Sequence, residues 1–207
     1  MRHIQKRSVG QKIFGAFAAV GSFLTGQGCI ESYNVNPQFG VNVPVEQRYS
    51  GLQFNSAMKY GVAGGMRVES GANWELGITF YQTQAENAVQ VTTGDVTSIK
   101  GGVTIPVFER NGSLVYVTPQ ATIFSEKADT TFPSMPGVHS IDSCTLTGLG
   151  VGVGARFKLG KNRNDSGNGD ERRSELEVRA TYTKYTDPHA NVQAALDIDV
   201  GYVWIIK

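Results

Sequence analysis

The sequence predicts an all-β fold, an eight-stranded antiparallel up-and-down transmembrane β-barrel, from three observations. First, apolar residues recur at every second position in eight segments of the 207-residue chain, which is the period of a strand with two different faces. Second, the opposite faces of these segments carry small, hydroxyl and charged side chains, as expected where lipid lies outside and a crowded polar lumen inside. Third, turn signals separate the segments, and the Asn111-Gly112 pair is the strongest of them.

The eight predicted strands follow one another along the chain, and the last one shows the alternation most clearly. Pro44 lies inside the first strand, where its missing N–H disfavours a central ladder position. The predicted strands are residues 39–46, 58–68, 74–83, 98–107, 115–123, 148–159, 176–183 and 192–206. The apolar face of the last strand comprises Val192, Ala194, Leu196, Ile198, Val200, Tyr202, Trp204 and Ile206.

The connections between these strands predict which end of the barrel faces the cell. Residues 70–73 and 111–112 are tight turns, and both fall on the side that holds the two chain termini. Because outer-membrane barrels have short periplasmic turns and longer external loops, we expect a polar loop at 86–95 and a long loop at 127–143 on the outside. The charged, Gly-rich segment 161–174 then lies on the periplasmic side, where a short turn is usual.

The N-terminus predicts export. Four basic residues precede an apolar segment at 13–24, which is followed by Gly26 and Gly28 at a spacing suited to cleavage. The apolar segment is shorter than the about 20 residues needed to span a bilayer, so we assign residues 1–28 to a signal peptide. The alternative is a short first helix of a soluble protein. Residues 29–38 are predicted to be an N-terminal tether, and residues 39–207 the barrel domain.

Composition excludes some classes of function. Without residues 1–28 the chain has 15 basic and 18 acidic residues, so no basic surface recruits nucleic acid. The segment that ends at Cys29 resembles the lipobox of bacterial lipoproteins, although Gln27 stands where a small residue is preferred. Lipidation of Cys29 is therefore an alternative to its removal with the signal. Cys144 falls near the other end of the barrel, so no disulfide between the two cysteines is expected.

The polar face decides whether the apolar face points outward or inward. Glycines occupy every second position from Gly148 to Gly154, which weakens a solvated strand but makes room for large side chains inside a narrow barrel. The same face carries six basic and five acidic residues, and such near-balance suits ion pairs in a closed lumen. The basic ones are Lys59, Arg67, Lys100, Arg156, Lys158 and Arg179; the acidic ones are Glu69, Glu75, Glu177, Asp197 and Asp199. The alternative is a soluble lipocalin-like carrier with its charges in water.

Aromatic residues on the apolar face predict two interfacial girdles. The expected members are Trp74, Tyr202 and Trp204 at the periplasmic end and Tyr60, Phe80 and Tyr182 at the external end.

The signal, the eight alternating strands and the final Tyr202-Val203-Trp204-Ile205-Ile206 together resemble the small outer-membrane β-barrels of the OmpA, OmpX and opacity-protein type. This resemblance implies a monomer in the outer membrane of a Gram-negative-type bacterium, inserted into the lipid bilayer by the barrel-assembly machinery. In that family the last strand usually ends on an aromatic residue, whereas this chain continues after Trp204 with Ile205, Ile206 and Lys207.

Catalytic and metal motifs are weak in this sequence. His139-Ser140 with Asp142 could serve an enzyme that modifies outer-leaflet lipid, but a base must be held within hydrogen-bond reach of its nucleophile. The Asn- and Asp-rich stretch 162–170 offers oxygen atoms to calcium, yet Arg173 stands where the calcium loop needs glutamate. We therefore predict no cofactor, no metal and no enzymatic activity. The function we predict is structural or adhesive, with a plugged polar lumen and a partner bound by the external loops; a narrow transport path is a further alternative.

Overall fold

A computed structural model describes residues 30–47, 53–68, 72–159, 173–187 and 192–206 of the protein. The described chain forms eight long strands and one strand of two residues. In chain order they are β1 (Ile30–Gln47), β2 (Gln53–Phe54), β3 (Ala57–Val68), β4 (Asn73–Glu86), β5 (Val91–Arg110), β6 (Ser113–Thr131), β7 (His139–Lys158), β8 (Arg173–Tyr185) and β9 (Val192–Ile206). Within these ranges no helix has the length and apolar character needed to cross a membrane.

The long strands close into a barrel. Each pairs antiparallel with its neighbours along the chain, and β1 pairs with both β3 and β9, so the sheet has no open edge along its main body. Phe39 shows the closure, because it lies opposite Tyr60 of β3 on one side and Val200 of β9 on the other. The predicted eight-stranded antiparallel up-and-down barrel is confirmed.

Side-chain exposure settles the orientation of the two faces. Ile198 and Val151 are 45% and 54% exposed on the outer surface, whereas Asp197 and Arg179 are 4% and 6% exposed in the lumen. An outer wall of bare aliphatic and aromatic side chains around a charged interior suits lipid and not water. The chain is therefore a transmembrane barrel, and the lipocalin-like alternative is wrong.

The start of β1 and the end of β9 lie at the same end of the barrel as one of the predicted tight turns. Ile30, at the start of β1, pairs with Val68, and Tyr33 pairs with Ile206 near the end of β9. The Asn111-Gly112 turn has positive φ at both residues and joins β5 to β6 at this end, as the predicted type of hairpin requires. We call this end periplasmic and the opposite end external, following the usual distribution of short turns.

The predicted tether at 29–38 is wrong for the residues that the structure describes, because Ile30–Gln38 form the first half of β1. Ser32, Asn34 and Asn36 are buried in the lumen, while Tyr33 and Val35 are exposed on the outside. Inward and outward side chains therefore alternate along this segment. Its inward residues are asparagine and serine, and its outward residues do not form a continuous apolar row, so the sequence pattern becomes clear only from Phe39 onward.

Two predicted external loops are also wrong. Only Asn87–Gln90 separates β4 from β5, and only residues 132–138 separate β6 from β7. Most of 86–95 and of 127–143 is therefore strand, paired in register such as Asp95 with Lys127 and Lys127 with Ser143. We call residues 82–98 and 124–147 the external extension. Its strands leave the hydrocarbon layer, so their outer faces are polar and give no apolar alternation.

Two of the local irregularities in the ladders lie beside prolines. The pairing of β1 with β9 shifts after Pro44, and the pairing of β5 with β6 shifts after Pro106. A bulge of this kind accommodates a residue that lacks the N–H donor. The predicted signal peptide, Cys29, Glu69 and residues 160–172 of the Gly-rich connection lie outside the described residues.

Candidate functional site

The first charged group in the lumen, which we call the lysine cluster, joins β9 to β3 and β5. Lys59 Nζ lies 2.9 Å from Asp197 Oδ1 and 2.8 Å from Asp199 Oδ1. Lys100 forms an ion pair with the other oxygen of Asp197, and Asn42 Nδ2 donates to Asp197 Oδ1 at 2.8 Å. The cluster therefore ties the last strand to strands from the first half of the chain.

The second group, the arginine cluster, lies nearer the periplasmic end and joins β4, β7 and β8. Arg156 contacts Glu177 at 2.7 Å and Glu75 at 3.4 Å. Arg179 contacts the same two carboxylates, Glu75 at 2.6 Å and Glu177 at 2.9 Å. Each carboxylate thus accepts from both guanidinium groups, which is the planar, multidentate pairing that arginine favours.

Tyr116 of β6 completes the arginine cluster. Its hydroxyl donates to Glu177 Oε1 at 2.6 Å, and the guanidinium carbons of Arg156 and Arg179 lie 5.3 Å and 5.8 Å from its ring centroid. Asn36 Nδ2 also donates to the second carboxylate oxygen, Glu177 Oε2. A single buried carboxylate is therefore held by four side chains from four strands.

The glycine row of β7 makes room for these large side chains. A Cβ added at Gly154 would lie 2.9 Å from Cε2 of Tyr116, and one at Gly148 would lie 3.0 Å from Cδ1 of Tyr185. A methyl group at 3.0 Å or less overlaps its neighbour. This is the packing of small against large residues that the sequence predicts for a narrow barrel.

Charge is balanced inside the lumen. The two clusters contain four basic residues, Lys59, Lys100, Arg156 and Arg179, and four acidic ones, Glu75, Glu177, Asp197 and Asp199. Ions removed from water cost several kcal/mol each unless good geometry and further hydrogen bonds repay the loss. Here every charge contacts an opposite charge, so the two clusters together carry no net charge.

Two of the predicted lumen residues do not join these clusters. Arg67 lies at the periplasmic rim, where its Nε is 3.5 Å from Glu31 Oε2 and both side chains are near half exposed. Lys158, near the end of β7, is exposed, and its aliphatic carbons lie over Gly112. The alternation in the sequence places both residues on the inner face, but it does not show that they lie at the periplasmic mouth of the lumen.

An aromatic layer lies at the external end of the lumen. Tyr81, Phe124 and Tyr185 are buried there, with ring centroids 6.3 Å apart for Tyr81 and Phe124 and 5.6 Å for Phe124 and Tyr185. Val96 and Leu146 pack against the same group. Apolar side chains thus replace ion pairs at the level where the barrel leaves the membrane.

The lumen has a cavity on its periplasmic side. A cavity of about 420 Å³ opens there between Arg67, Asn73, Glu109 and Arg156. Between the two ion clusters the free volume is only about 20 Å³, which is room for about one water molecule. The described side chains therefore leave little room between the two clusters.

The predicted girdle residues lie on the outer face in two groups. Tyr60 and Phe80 contact each other with centroids 5.9 Å apart, and Tyr202 and Trp204 do so at 5.1 Å. Tyr182 donates a hydrogen bond to Glu46 at 2.9 Å, and Trp74 is partly exposed opposite Val103. Aromatic rings with polar atoms at such positions suit the interface between lipid and water.

His139 and Ser140 cannot act together in the described geometry. They are neighbours on β7, and successive side chains of a strand point to opposite faces. His139 Nδ1 lies 3.6 Å from Asp129, whereas the Ser140 hydroxyl donates to Asp142 at 3.4 Å. This cluster therefore does not supply a histidine base to a serine nucleophile.

Cys144 lies on the inner side of the external extension. Its thiol donates to Glu126 Oε2 at 3.8 Å, and Thr83 donates to the other oxygen of Glu126 at 2.5 Å. Partial burial and the nearby Glu126 carboxylate raise the pKa of the Cys144 thiol. A raised pKa leaves less thiolate at neutral pH, so this cysteine is a poor nucleophile. Within the described ranges no group of three metal-binding side chains occurs.

Asn36 and the aromatic layer are parts of the lumen outside the predicted inner face. Asn36 falls within the predicted tether. Phe124 follows in phase after the inward residues Gln120 and Thr122, so continuing the period of two beyond Ile123 identifies it.

The chain is similar to several solved structures. No family model and no curated protein sequence matches the chain. Neisserial surface protein A is 13% identical with a TM-score of 0.47, over 83% of this chain and 95% of that one. Ail, the attachment invasion locus protein of Yersinia pestis, is 12% identical with a TM-score of 0.44, over 85% and 97%. The N-terminal β-barrel domain of Pseudomonas aeruginosa OprF is 12% identical with a TM-score of 0.39, over 86% and 99%.

Proposed function

We propose that the protein is an outer-membrane barrel that conducts no solute and acts as a structural or adhesive element through its external extension. The filled lumen carries this proposal. Eight charges in two neutralised clusters occupy the middle of the barrel, and the aromatic layer lies above them. Because eight strands leave little space beyond their own side chains, no path for a solute remains among the described residues.

The accessible chemistry lies instead outside the membrane. The external extension presents four adjoining strands whose outer faces are polar, as at Gln82, Asp95, Lys127 and Ser143, which are paired in one row. Paired strands hold such side chains in fixed relative positions more firmly than a loop does. A rigid, projecting surface of this kind suits binding to a partner outside the cell.

The plugged lumen is tested by conductance. Purified protein in planar bilayers is expected to give no single-channel current steps. A variant that empties the arginine cluster, with Tyr116→Ala, Arg156→Ala and Glu177→Ala together, is expected to raise the leak. Steady conductance of the unchanged protein would show an open lumen and exclude the proposal.

The adhesive role is tested by removing the β6–β7 hairpin. Residues 127–143 are replaced by Asn-Gly, and binding of expressing cells to coated surfaces is measured beside heat-modifiable gel mobility. The shortened barrel is expected to keep its mobility and lose adhesion. Val107→Ser with Glu109→Gln serves as the control, because it changes exposed residues near the periplasmic end of β5 and leaves the external extension intact. Unchanged adhesion without 127–143 would contradict the proposal.

Four further properties of the protein stay predictions. They are the signal peptide at 1–28, lipidation at Cys29, a monomeric state and recognition of the last strand by the barrel-assembly machinery. Mass spectrometry of the mature N-terminus tests the first two together, because cleavage before Cys29 with added acyl mass differs from simple removal of the signal.

A further inference from the structure

The outermost part of the external extension exposes large apolar side chains in water. Val89 is in the β4–β5 turn, Met135 and Val138 are in the β6–β7 connection, and Ile141 is 65% exposed on β7. The pairing of Val91 with Thr131, and of Thr131 with His139, brings the two hairpin ends together. We call these four residues the apolar tip.

The apolar tip does not serve as a membrane anchor. β7 runs nine residues, His139–Thr147, beyond the glycine row, which starts at Gly148 within the membrane wall. At about 3.3 Å per residue this is about 30 Å along the strand. Outer residues on this stretch, such as Ser143 and Thr145, are polar. The tip is therefore separated from the hydrocarbon layer by a polar collar, and exposed apolar groups in that position indicate a binding surface.

Charge around the tip selects the kind of partner. The external extension contains five carboxylates, of Glu86, Asp95, Glu126, Asp129 and Asp142, and a single basic residue, Lys127. Glu86 pairs directly with Val91 beside the tip, and Asp129 pairs directly with Ile141. Acidic side chains thus stand immediately next to the apolar ones.

Several occupants are disfavoured by this charge. Sulfated polysaccharides and nucleic acids are polyanions, and a second copy would bring two acidic surfaces together. Like charges across an interface cost binding energy and slow association. A basic surface is instead attracted over distances near the Debye length of about 8 Å.

We propose that the apolar tip binds a basic polypeptide that presents apolar side chains between lysine or arginine residues. This inference rests on the proposed adhesive function and specifies its partner. The apolar side chains would cover Met135, Val138 and Ile141, while the cations would pair with Glu86, Asp95 and Asp129.

The test uses the full chain in phosphatidylcholine nanodiscs, with empty nanodiscs subtracted. The probes are a peptide of alternating Lys and Leu, one of alternating Lys and Ser, one of alternating Glu and Leu, and a heparin dodecasaccharide. The Lys-Leu peptide is expected to bind at least about tenfold more tightly than the Lys-Ser peptide, as loss of apolar burial predicts. The Glu-Leu peptide and heparin are expected not to bind.

Variants separate the two contributions. Met135→Ser with Ile141→Ser is expected to weaken Lys-Leu binding about tenfold without altering its dependence on salt. Glu86→Gln, Asp95→Asn and Asp129→Asn together are expected to reduce the salt dependence. The matched control is Val107→Ser with Glu109→Gln, which changes exposed residues near the periplasmic end of β5 and should leave binding unchanged.

Tighter binding of heparin or of the Glu-Leu peptide would overturn the proposal, as would tip variants that bind like the unchanged protein. Failure of all four probes would also overturn it. The adhesion test of the shortened hairpin does not depend on the charge of any partner. If the shortened hairpin abolishes cell adhesion but no probe binds in nanodiscs, the basic partner is rejected and the adhesive role is retained.

Discussion

Glu177 is the residue on which most contacts in the lumen converge. It accepts from Asn36, Tyr116, Arg156 and Arg179, and it is almost fully buried. Its charge offsets about half of the positive charge in the arginine cluster. Loss of one member of a buried ion network leaves uncompensated charges in a medium that solvates them poorly.

Glu177→Gln is therefore expected to reduce the free energy of unfolding by about 3–5 kcal/mol. The measurement is urea titration of the protein folded in lipid vesicles. Glu46→Gln is the control, because Glu46 pairs with Lys184 at 3.6 Å on the exposed outer rim, where a pair contributes at most about 1 kcal/mol. Similar reductions of the free energy of unfolding in both variants would show that ion pairs in the lumen contribute no more to stability than the pair at the rim.

Glycine-to-alanine substitutions on the inner and outer faces of the barrel should also differ in their effect on the free energy of unfolding. Gly154→Ala places a methyl group against the Tyr116 ring, whereas a Cβ at Gly64 meets only Asn34 O, at 3.8 Å. Overpacking costs about 1–3 kcal/mol, so Gly154→Ala is expected to be destabilising by that amount and Gly64→Ala nearly neutral. The same urea titration compares them, and an equal effect would contradict the packing role of the glycine row.

At the scale of elements, the strands continue beyond the membrane as a paired sheet. β5, β6 and β7 remain in register through Val91–Thr131 and Thr131–His139, and the connection between β6 and β7 is confined to residues 132–138. The external surface is therefore built mainly of strand and less of loop.

Amide hydrogen exchange tests this continuation. Amides of Lys127–Thr131 and of His139–Ser143 that donate across the ladder should exchange at least about tenfold more slowly than those of residues 134–138. Peptide-resolved mass spectrometry of the protein in nanodiscs gives the rates. Uniformly fast exchange from 127 to 143 would indicate an unpaired loop, as the sequence predicts, instead of paired strands.

The sequence predicted the strands best where lipid covers one face. In β9 the alternation of Ile198, Val200 and Tyr202 with Asp197 and Asp199 reports two different environments, and the structure places both sets as predicted. Where water lies on both sides, as at Lys127–Thr131, polar residues satisfy either face and the period disappears. The contacts within the lumen depend on which strands lie across the barrel, so a pair such as Lys59 with Asp199 cannot be read from spacing.

For the whole molecule, the outer wall determines where it lies. Apolar side chains such as Val153 and Phe157 are about half exposed around the barrel, while the charges of the two clusters in the lumen are balanced. Exposed apolar area of this extent is stable in lipid and would aggregate in water. The transmembrane barrel and its predicted place in the outer membrane of a Gram-negative-type bacterium agree with this distribution.

The two tryptophans of the chain provide a check on that placement. Trp74 and Trp204 lie on the outer face near the periplasmic end, so both should be quenched more strongly by lipid brominated near the carbonyl group than near the terminal methyl. Steady-state fluorescence in phosphatidylcholine vesicles measures this, and Trp204→Phe isolates the signal of Trp74. Absence of quenching by either lipid would contradict the outward orientation.

The lysine cluster also links assembly to the order of synthesis. Lys59 and Lys100 belong to early strands, but the carboxylates that neutralise them, Asp197 and Asp199, arrive on the last one. Until that strand docks, a curled sheet would carry two bare ammonium groups that hydrocarbon cannot solvate. Entry into the bilayer and sealing of the seam between the first and last strands should therefore occur as one concerted event, with no half-inserted intermediate stable in lipid.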